Sequence, residues 1–338
     1  MTTQHTVAVL GGGSFGTVIG NIIASNGHSV RLWLRNEPLA ATINDAHENT
    51  AYLPGYRLSD RLLATSVLAD ALAGADIVFV AVPGKSFREV VQRVASLVPA
   101  NAQVISLTKG IEPGGFRLMS QILGEELPDN PLGVLSGPNL ASEIANGHVS
   151  AAVVASGVPE VTRTIHDLLH CEAFLVYASE DMYGVELGGA LKNVYAILAG
   201  VGAALDFGEN TVGMLLTRAL AEMSRFAVHM GANPLTFLGL SGVGDLFVTC
   251  SSPLSRNYQV GLALGKGQPL DTILAGMDQV AEGINTLGLL KQEAESRGVA
   301  MPLVDGLYAI LYEHRDVETV LMSLMHREQA QDVEFVIR

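Results

Sequence analysis

Short apolar runs alternate with amphipathic stretches along the first half of the chain. The run 77–82 is hydrophobic without interruption, which is typical of a parallel strand that is covered on both faces. Between such runs, apolar positions recur at helical spacing, for example over 86–97. The predicted strands are 7–10, 29–34, 77–82, 104–107, 132–135, 151–155 and 174–177. This alternation predicts an α/β fold with a doubly wound parallel sheet.

The pattern changes beyond about Ser179, where helical periodicity dominates. The predicted helices of this half are 182–205, 211–230, 257–264, 269–275, 284–297 and 304–312. We therefore predict two domains, a sheet domain over 1–180 and an all-helical C-terminal domain over 181–338. Because no Pro/Ser-rich linker separates them, we expect the domains to pack tightly, with a cleft at the carboxyl ends of the strands.

Composition supports a folded protein and limits its partners. The 338 residues are 49% hydrophobic and 16% charged, which argues against a disordered chain. The formal net charge of −14 repels DNA and RNA, so no nucleic-acid partner is expected. Two cysteines are too few for a disulfide framework or a metal cluster, which favours a cytoplasmic protein without a metal site.

The best candidate for a membrane span, 187–205, is interrupted by Lys192 and Asn193. Its continuous apolar part of about twelve residues is shorter than the ~20 residues needed to span a bilayer. We therefore expect a buried core helix and no stable membrane insertion.

The first strand runs directly into a Gly-x-Gly-x-x-Gly pattern at Gly11, Gly13 and Gly16, and a helix pattern follows. In a dinucleotide site the first glycine makes the turn, the second lets the backbone approach the diphosphate, and the third lets helix pack on strand. The diphosphate then lies at the helix N-terminus, where N–H groups and the dipole favour negative charge. The strand–turn–helix context predicts a Rossmann-like domain that binds NAD or NADP.

Arg35 and Glu37 follow the second predicted strand. At this point of a dinucleotide site, an acidic residue binds the ribose hydroxyls of NAD, whereas an arginine accommodates the 2′-phosphate of NADP. Since Arg35 comes first, the sequence favours NADPH, and an ordinary solvated arginine is the alternative.

Two lysines are candidates for chemistry. Lys109 lies just past a strand's carboxyl end, and Thr108 and Gly110 leave its ammonium free to turn into the predicted cleft. Lys192 lies in a predicted helix that is apolar and has no obvious solvent-facing side. Burial of an ammonium is costly and lowers its pKa, which suits proton transfer near neutral pH. The alternative for Lys192 is a structural ion pair with a carboxylate such as Glu186 or Asp245.

The stretch 239–257 is rich in glycine and serine and is predicted to be irregular. Ser255 is a good N-cap, and Arg256 and Asn257 follow it, so N–H groups, a guanidinium and an amide converge where a phosphate would bind. Asp245, between Gly244 and the following apolar residues, either orients a lysine or a substrate hydroxyl or is a turn aspartate.

Taken together, these motifs resemble the bacterial-type NAD(P)-dependent sn-glycerol-3-phosphate dehydrogenases. They run in order over nearly the whole chain and are specific as a set. The matching segments are 11–16, 52–55, 82–83, 108–110, 136–138, 191–194, 239–245, 255–257 and 280–283. The resemblance implies reversible reduction of dihydroxyacetone phosphate to sn-glycerol 3-phosphate, which supplies phospholipid synthesis.

The resemblance also implies roles for individual residues. Lys192 is the expected proton donor and acceptor, and Lys109 lies beside the substrate oxygen as a second catalytic residue. The implied substrate contacts are Lys109, Gly137, Asn139, Lys192, Asp245, Ser255, Arg256 and Asn257. The implied cofactor contacts, besides the glycines, are Ser14, Phe15, Arg35, Lys109, Ala141, Arg256, Val280 and Glu282. A small phosphorylated molecule is thus the expected partner, and a homodimer stays an open alternative.

Two positions depart from the family pattern or vary within it. Asn139 stands where the family usually has Thr or Ser, so an amide replaces a hydroxyl in the expected substrate contact. Arg35 occupies a position whose residue type varies, so NAD against NADP is not decided by resemblance. The rival enzyme class is a 2-hydroxyacid or ketopantoate reductase with a buried Lys-Asn pair, which does not need the 255–257 phosphate site. The rival outside enzymes is a regulatory nucleotide-binding module.

Overall fold

The computed structural model describes residues 4–277 and 281–325. These residues form two compact units. The first contains the described residues up to Lys109 together with Arg117–Met182, and the second contains Gly110–Phe116 and the described residues from Tyr183 onward.

The first unit is built on an eight-stranded sheet. The strands are β1 Thr6–Leu10, β2 Ser29–Trp33, β3 Leu62–Thr65, β4 Ile77–Val80, β5 Gln103–Ser106, β6 Leu132–Ser136, β7 Ser150–Ala155 and β8 Phe174–Ser179. Their order in the sheet is β3-β2-β1-β4-β5-β6-β7-β8. Strand order thus reverses beside β1, which is the usual place for a ligand in such sheets.

Helices cover both faces of this sheet. They are α1 Ser14–Ser25, α2 Glu37–Ala46, α3 Leu68–Leu72, α4 Gly84–Val94, α5 Met119–Glu126, α6 Ala141–Ala145 and α7 Pro159–Leu169. Successive residues of β1 alternate between the two cores, with Val7 and Val9 in one and Ala8 and Leu10 in the other. Burial on both faces explains why the strands read as unbroken apolar runs, and the predicted doubly wound sheet is confirmed.

The sheet departs from the predicted all-parallel arrangement at one pair of strands. β7 runs antiparallel to β6, and β8 then runs parallel to β7. Only residues 137–149 connect β6 to β7, and α6 is a five-residue helix within them. Parallel strands are usually joined by a helix that runs back along the sheet. The five-residue α6 is too short to carry the chain back along the strand, and β7 returns antiparallel.

The described part of the second unit is helical, which confirms the predicted all-helical domain. Its helices are α8 Met182–Ala204, α9 Glu209–His229, α10 Asp245–Ser251, α11 Arg256–Gly265, α12 Leu270–Ala275, α13 Glu282–Arg297, α14 Pro302–Tyr312 and α15 Val317–Met325. A 3₁₀ turn, Pro234–Leu238, and a π-helical turn, Leu240–Gly244, precede α10. Much of the predicted irregular stretch is thus helical.

Helix α8 is the core of this unit. Among the described residues it is the one helix that is long and apolar enough to cross a membrane by length and composition, yet 89% of its most apolar window is buried in the protein. Burial on all sides requires apolar residues on all faces, so α8 has the composition of a core helix.

The segment Gly110–Phe116 belongs to the second unit although it precedes α5 of the first. The Phe116 ring packs edge-on against Phe226 of α9, with 5.4 Å between ring centroids and an interplanar angle of 65°. The predicted single boundary at 180/181 does not separate out this segment, because a contact between residues 110 positions apart leaves no local signal.

Candidate active site

The glycine pattern forms a close-fitting turn between β1 and α1. Gly11 has φ +127°, and a Cβ added there would lie 2.4 Å from the carbonyl oxygen of Ala81. A Cβ added at Gly16 would lie 2.1 Å from the carbonyl oxygen of Gly11. Any side chain at either position would therefore push β1, β4 and α1 apart.

The turn leaves room for a ligand above α1. A Cβ added at Gly13 meets nothing within 4 Å, and Gly13 precedes α1 without a side-chain cap. The N–H groups of the first helical turn can thus serve a bound anion. Ser14 and Phe15 open the helix, and Phe15 is half-buried. These features fit the diphosphate of a dinucleotide.

Arg35 lies at the same edge of the sheet. It is exposed and follows Leu34, which packs so closely on Gly12 that a Cβ there would lie 2.9 Å from the Leu34 Cβ. Asn36 caps α2 through its Oδ1, which accepts from the Leu39 N–H at 3.0 Å, and Glu37 is the first helical residue. Arg35 is therefore exposed just past the end of β2, and its contact with a 2′-phosphate stays a prediction.

Lys109 is held at the carboxyl ends of β5 and β6. Its Nζ donates to the carbonyl oxygen of Gly137 at 2.7 Å. Thr108 Oγ1 donates to the carbonyl oxygen of Val82 at 2.6 Å, which ties the end of β5 to that of β4. The expected free ammonium is thus anchored instead, because the Gly137 carbonyl is turned toward it.

Two polar side chains next to Lys109 lack partners. The Oδ1 and Nδ2 atoms of Asn139 and the Oγ of Ser136 are buried without a hydrogen bond in the described structure. Buried polar atoms of this kind are costly unless a ligand or water completes them. Ala141, the first residue of α6, follows two positions later. This cluster suits a ligand with hydroxyl or carbonyl groups.

In the second unit, Lys192 is part of a buried polar group. Its Nζ donates to Asp245 Oδ1 and, at 2.6 Å, to Thr249 Oγ1. The exposed fractions of Lys192 and Asp245 are 6% and 1%. Thr249 also donates to the backbone carbonyl of Asp245 at 2.6 Å, which fixes the acceptor. Asp245, one of the two carboxylates named for an ion pair, bonds to the ammonium.

Thr249 was missing from the predicted site. Asp245 begins α10, so Thr249 lies one turn later on the same face of that helix. Interpreting the stretch as irregular concealed this i, i+4 spacing. Asp245 is correspondingly not a turn residue.

A chain of amides joins three helices beside the lysine. Asn257 Nδ2 donates to Asn193 Oδ1 at 3.0 Å, and Asn257 Oδ1 accepts from the Gly283 N–H at 3.0 Å. A Cβ at Gly283 would lie 2.5 Å from the Asn193 carbonyl oxygen, so only glycine lets α13 begin so close to α8. Asn257, predicted to contact substrate, thus also positions Asn193 and α13.

The predicted phosphate site lies at the start of α11. Ser255 is its N-cap, as predicted, with Oγ accepting from the Tyr258 N–H at 3.3 Å. Arg256, the first helical residue, is exposed along part of its side chain, while the surroundings of its guanidinium are partly desolvated. This desolvation lowers the pKa of Arg256, and the nearby Glu282 charge opposes the shift. Glu282 opens α13, and the predicted contact Val280 lies outside the described residues.

Comparisons with known proteins place the chain in a family. Residues 6–162 match the N-terminal model and residues 181–322 the C-terminal model of NAD-dependent glycerol-3-phosphate dehydrogenase. The glycerol-3-phosphate dehydrogenase of Teredinibacter turnerae, named for NAD(P)+, is 53% identical over 99% of this chain and 98% of its own. The chain belongs to the glycerol-3-phosphate dehydrogenase family. The sequence-based prediction of this family is therefore confirmed.

Further relatives agree with this membership. The Pseudomonas fluorescens glycerol-3-phosphate dehydrogenase is 54% identical over 99% of this chain and 95% of its own. The crystal structure of a glycerol-3-phosphate dehydrogenase from Coxiella burnetii has a TM-score of 0.91 and 34% identity, covering 96% of this chain and 99% of that one. Predictions of an oxidoreductase enzyme that uses NAD(P) are confirmed, and the reductase and regulatory-module alternatives are set aside.

A buried carboxylate connects α8, the helix that contains Lys192, to two neighbouring helices. Glu222 of α9 accepts hydrogen bonds from the N–H groups of Leu303 and Val304, each at 3.0 Å, and from the Tyr195 hydroxyl at 3.2 Å. Glu222 thereby caps the start of α14, whose own N-cap residue supplies no side-chain bond. Tyr195 lies one turn after Lys192 in α8, so Glu222 ties α8, α9 and α14 together.

Glu222 gives the stability of this dehydrogenase a pH dependence. Burial raises its pKa to about 7, against the lowering effect of the two N–H donors. The folded state binds the Glu222 proton more tightly than the unfolded state. Proton binding therefore adds to the free energy of unfolding in full below about pH 4.5, and this added stability is lost as the pH rises to about 7. The expected loss is at most about 3 kcal/mol.

Denaturant unfolding of the wild type and of Glu222→Gln at pH 5 and pH 8 measures this effect. The wild type is expected to lose more free energy of unfolding between the two pH values than the variant, which has no titrating group at this position. Parallel losses in both proteins would contradict the assignment.

Proposed function

We propose that the protein catalyses the reversible NAD(P)H-dependent reduction of dihydroxyacetone phosphate to sn-glycerol 3-phosphate, which supplies glycerophospholipid synthesis in the cytoplasm. The buried group of Lys192, Asp245 and Thr249 is the observation that carries this proposal. An ammonium held in this way is costly for a protein that only binds nucleotides. The reaction is the one for which its relatives are named.

Lys192 gives a proton to the substrate oxygen during reduction and takes it back during oxidation. Asp245 and Thr249 hold the ammonium in one orientation, which is what general acid–base catalysis requires of its proton donor. Lys109, anchored on Gly137, adds positive charge where the oxygen becomes negative. When bound, the nicotinamide cofactor supplies the hydride.

The other predicted substrate residues position the molecule. Arg256 and the N–H groups at the start of α11 bind the phosphate, which takes no part in the bond changes. Binding energy at this non-reacting group orients the carbonyl for reduction. The unpartnered amide of Asn139 offers an acceptor and a donor to the substrate's hydroxyl and carbonyl groups.

Absorbance of NADPH during incubation with dihydroxyacetone phosphate tests the proposal. We expect a decrease that depends on both protein and ketone, and accumulation of glycerol 3-phosphate in equal amount. Turnover of ketopantoate or of a 2-oxo acid in place of the phosphorylated ketone would overturn it.

Arg35→Ala is expected to weaken the binding of NADPH but not that of NADH. The exposed guanidinium can form a charge-assisted bond with the 2′-phosphate, and such a bond contributes about 1.5–3 kcal/mol, or roughly 10–100-fold in KM. NADPH should serve the wild type at least as well as NADH, and the KM for NADH should change little in the variant. Equal losses for both cofactors would show that Arg35 does not contact the 2′ position.

A further inference from the structure

The segment 49–56 has no part in the function so far, although it contains the family motif 52–55. Its first residue, Asn49, is fully buried. Asn49 Nδ2 donates to the carbonyl oxygen of Gly12 at 2.9 Å and to Thr17 Oγ1 at 2.8 Å. An asparagine from another part of the chain thus bonds to both the glycine turn and the first turn of α1.

Further bonds fix the segment in place. Ser14 Oγ donates to the carbonyl oxygen of Tyr52 at 3.0 Å, and Asn21 Nδ2 donates to the Tyr56 hydroxyl at 2.8 Å. The Leu53 N–H donates back to the Asn49 carbonyl oxygen at 2.8 Å, which makes a tight turn after Asn49. The Asn49 side chain therefore has little freedom to leave the glycine turn.

The orientation of the Asn49 amide is determined by its partner. A carbonyl oxygen such as that of Gly12 can only accept, so the Nδ2 side of the amide must face it. The Asn49 Oδ1 is buried without a partner in the described structure. A buried oxygen without a hydrogen bond lowers the stability of the fold. An asparagine whose role is only structural would be expected to have both of its amide atoms bonded.

The geometry of the peptide bond connects Asn49 to the cofactor. The carbonyl of Gly12 and the N–H of Gly13 belong to one planar trans peptide, so they point in opposite directions. By holding the Gly12 oxygen, Asn49 turns the Gly13 N–H the opposite way, and the space beside Gly13 is open, since a Cβ there would meet nothing within 4 Å. We infer that Asn49 is a positioning residue that aims the Gly13 N–H at the cofactor diphosphate.

Asn49→Asp tests this inference by calorimetric titration with NADPH in the absence of ketone. Aspartate has the same shape, but it lacks both donor hydrogens and turns an oxygen toward the Gly12 carbonyl. The Kd for NADPH is expected to rise at least about tenfold, because hydrogen bonds to charged groups contribute that much. At saturating NADPH, kcat and the KM for the ketone should stay within about twofold.

Adenosine 2′-monophosphate, which has no diphosphate, provides a second probe. Its Kd should change less than about twofold in Asn49→Asp. Loss of both ligands to the same extent would mean general damage to the fold and would overturn the inference.

Asn44→Asp is the matched control in the same unit. Asn44 Nδ2 donates to the Ala64 carbonyl oxygen at 2.9 Å, and Asn44 Oδ1 accepts from the Ala64 N–H at 2.7 Å, away from the glycine turn. This variant should lower the Tm but leave the Kd for NADPH within about twofold. If it weakens NADPH as much as Asn49→Asp, the inference is wrong.

Thr17→Val and Asn49→Ser complete the set. Thr17→Val removes the second acceptor but keeps the bond to Gly12, so its Kd for NADPH should rise less than in Asn49→Asp. In Asn49→Ser the serine side chain is too short to reach Gly12. If Asn49→Asp does not fold, the Kd of Asn49→Ser for NADPH provides the same test. The inference rests on dinucleotide binding at this turn, and titration without ketone separates it from the proposed substrate.

Discussion

Lys192→Met is expected to cut kcat by about 10²–10⁴-fold while leaving NADPH binding nearly intact. Methionine roughly keeps the volume of the side chain but cannot donate a proton to the substrate oxygen, and losses of this size are typical when a general acid–base group is removed. Steady-state rates with saturating ketone and NADPH, together with the Kd for NADPH, provide the measurement.

A second variant separates catalysis from structural support. Lys192→Met takes the cation away from the buried Asp245 carboxylate, and breaking a buried pair costs about 3–5 kcal/mol of stability. In Lys192→Met with Asp245→Asn, no charge is left in the pair, so much of the lost unfolding free energy should return. The kcat should stay low. Recovery of kcat together with stability would identify Lys192 as a structural charge and make Lys109 the leading proton donor.

Arg256→Ala is expected to lower kcat/KM for dihydroxyacetone phosphate by about 2–5 kcal/mol, or roughly 30-fold to several thousand-fold. The guanidinium supplies a charge-assisted contact to phosphate that neither Ser255 nor Asn257 can replace. The KM should rise, because the phosphate contact already exists in the ground-state complex.

Dihydroxyacetone, the ketone without phosphate, identifies the origin of this loss. Its low kcat/KM should be almost the same in the wild type and in Arg256→Ala. Arg297→Ala serves as the control, since Arg297 pairs with Glu293 one turn away on the same helix and should affect neither ketone. An unchanged KM for the phosphorylated ketone in Arg256→Ala would move the phosphate site elsewhere.

The sheet was predictable where its strands are buried on both faces. The run 77–82 could be interpreted with no knowledge of its neighbours, because an unbroken apolar stretch of this length fits few other environments. Strand β3 was missed, since Leu63 faces solvent and the strand is only four residues long. The reversal at β7 follows a connection whose helix has only five residues, and the hydrophobic pattern of the strands does not report strand direction.

The site was predictable in its residue types but not in its pairings. A lysine in an apolar helix indicates a buried partner, and the sequence offered both Glu186 and Asp245. The packing of α10 against α8 brings Asp245 to the lysine and adds Thr249. Asn49 left no local signal at all, since its partners Gly12 and Thr17 lie more than thirty positions away.

The assignment of Gly110–Phe116 to the helical unit limits how this enzyme can be taken apart. The chain passes from one unit to the other after Lys109, after Phe116 and after Met182. A gene fragment beginning at Tyr183 would lack the aromatic ring that covers Phe226 and would expose an apolar surface. The helical unit therefore cannot be exchanged as one continuous stretch of chain. In recombinants within the family, Gly110–Phe116 and the residues from Tyr183 onward should come from the same parent.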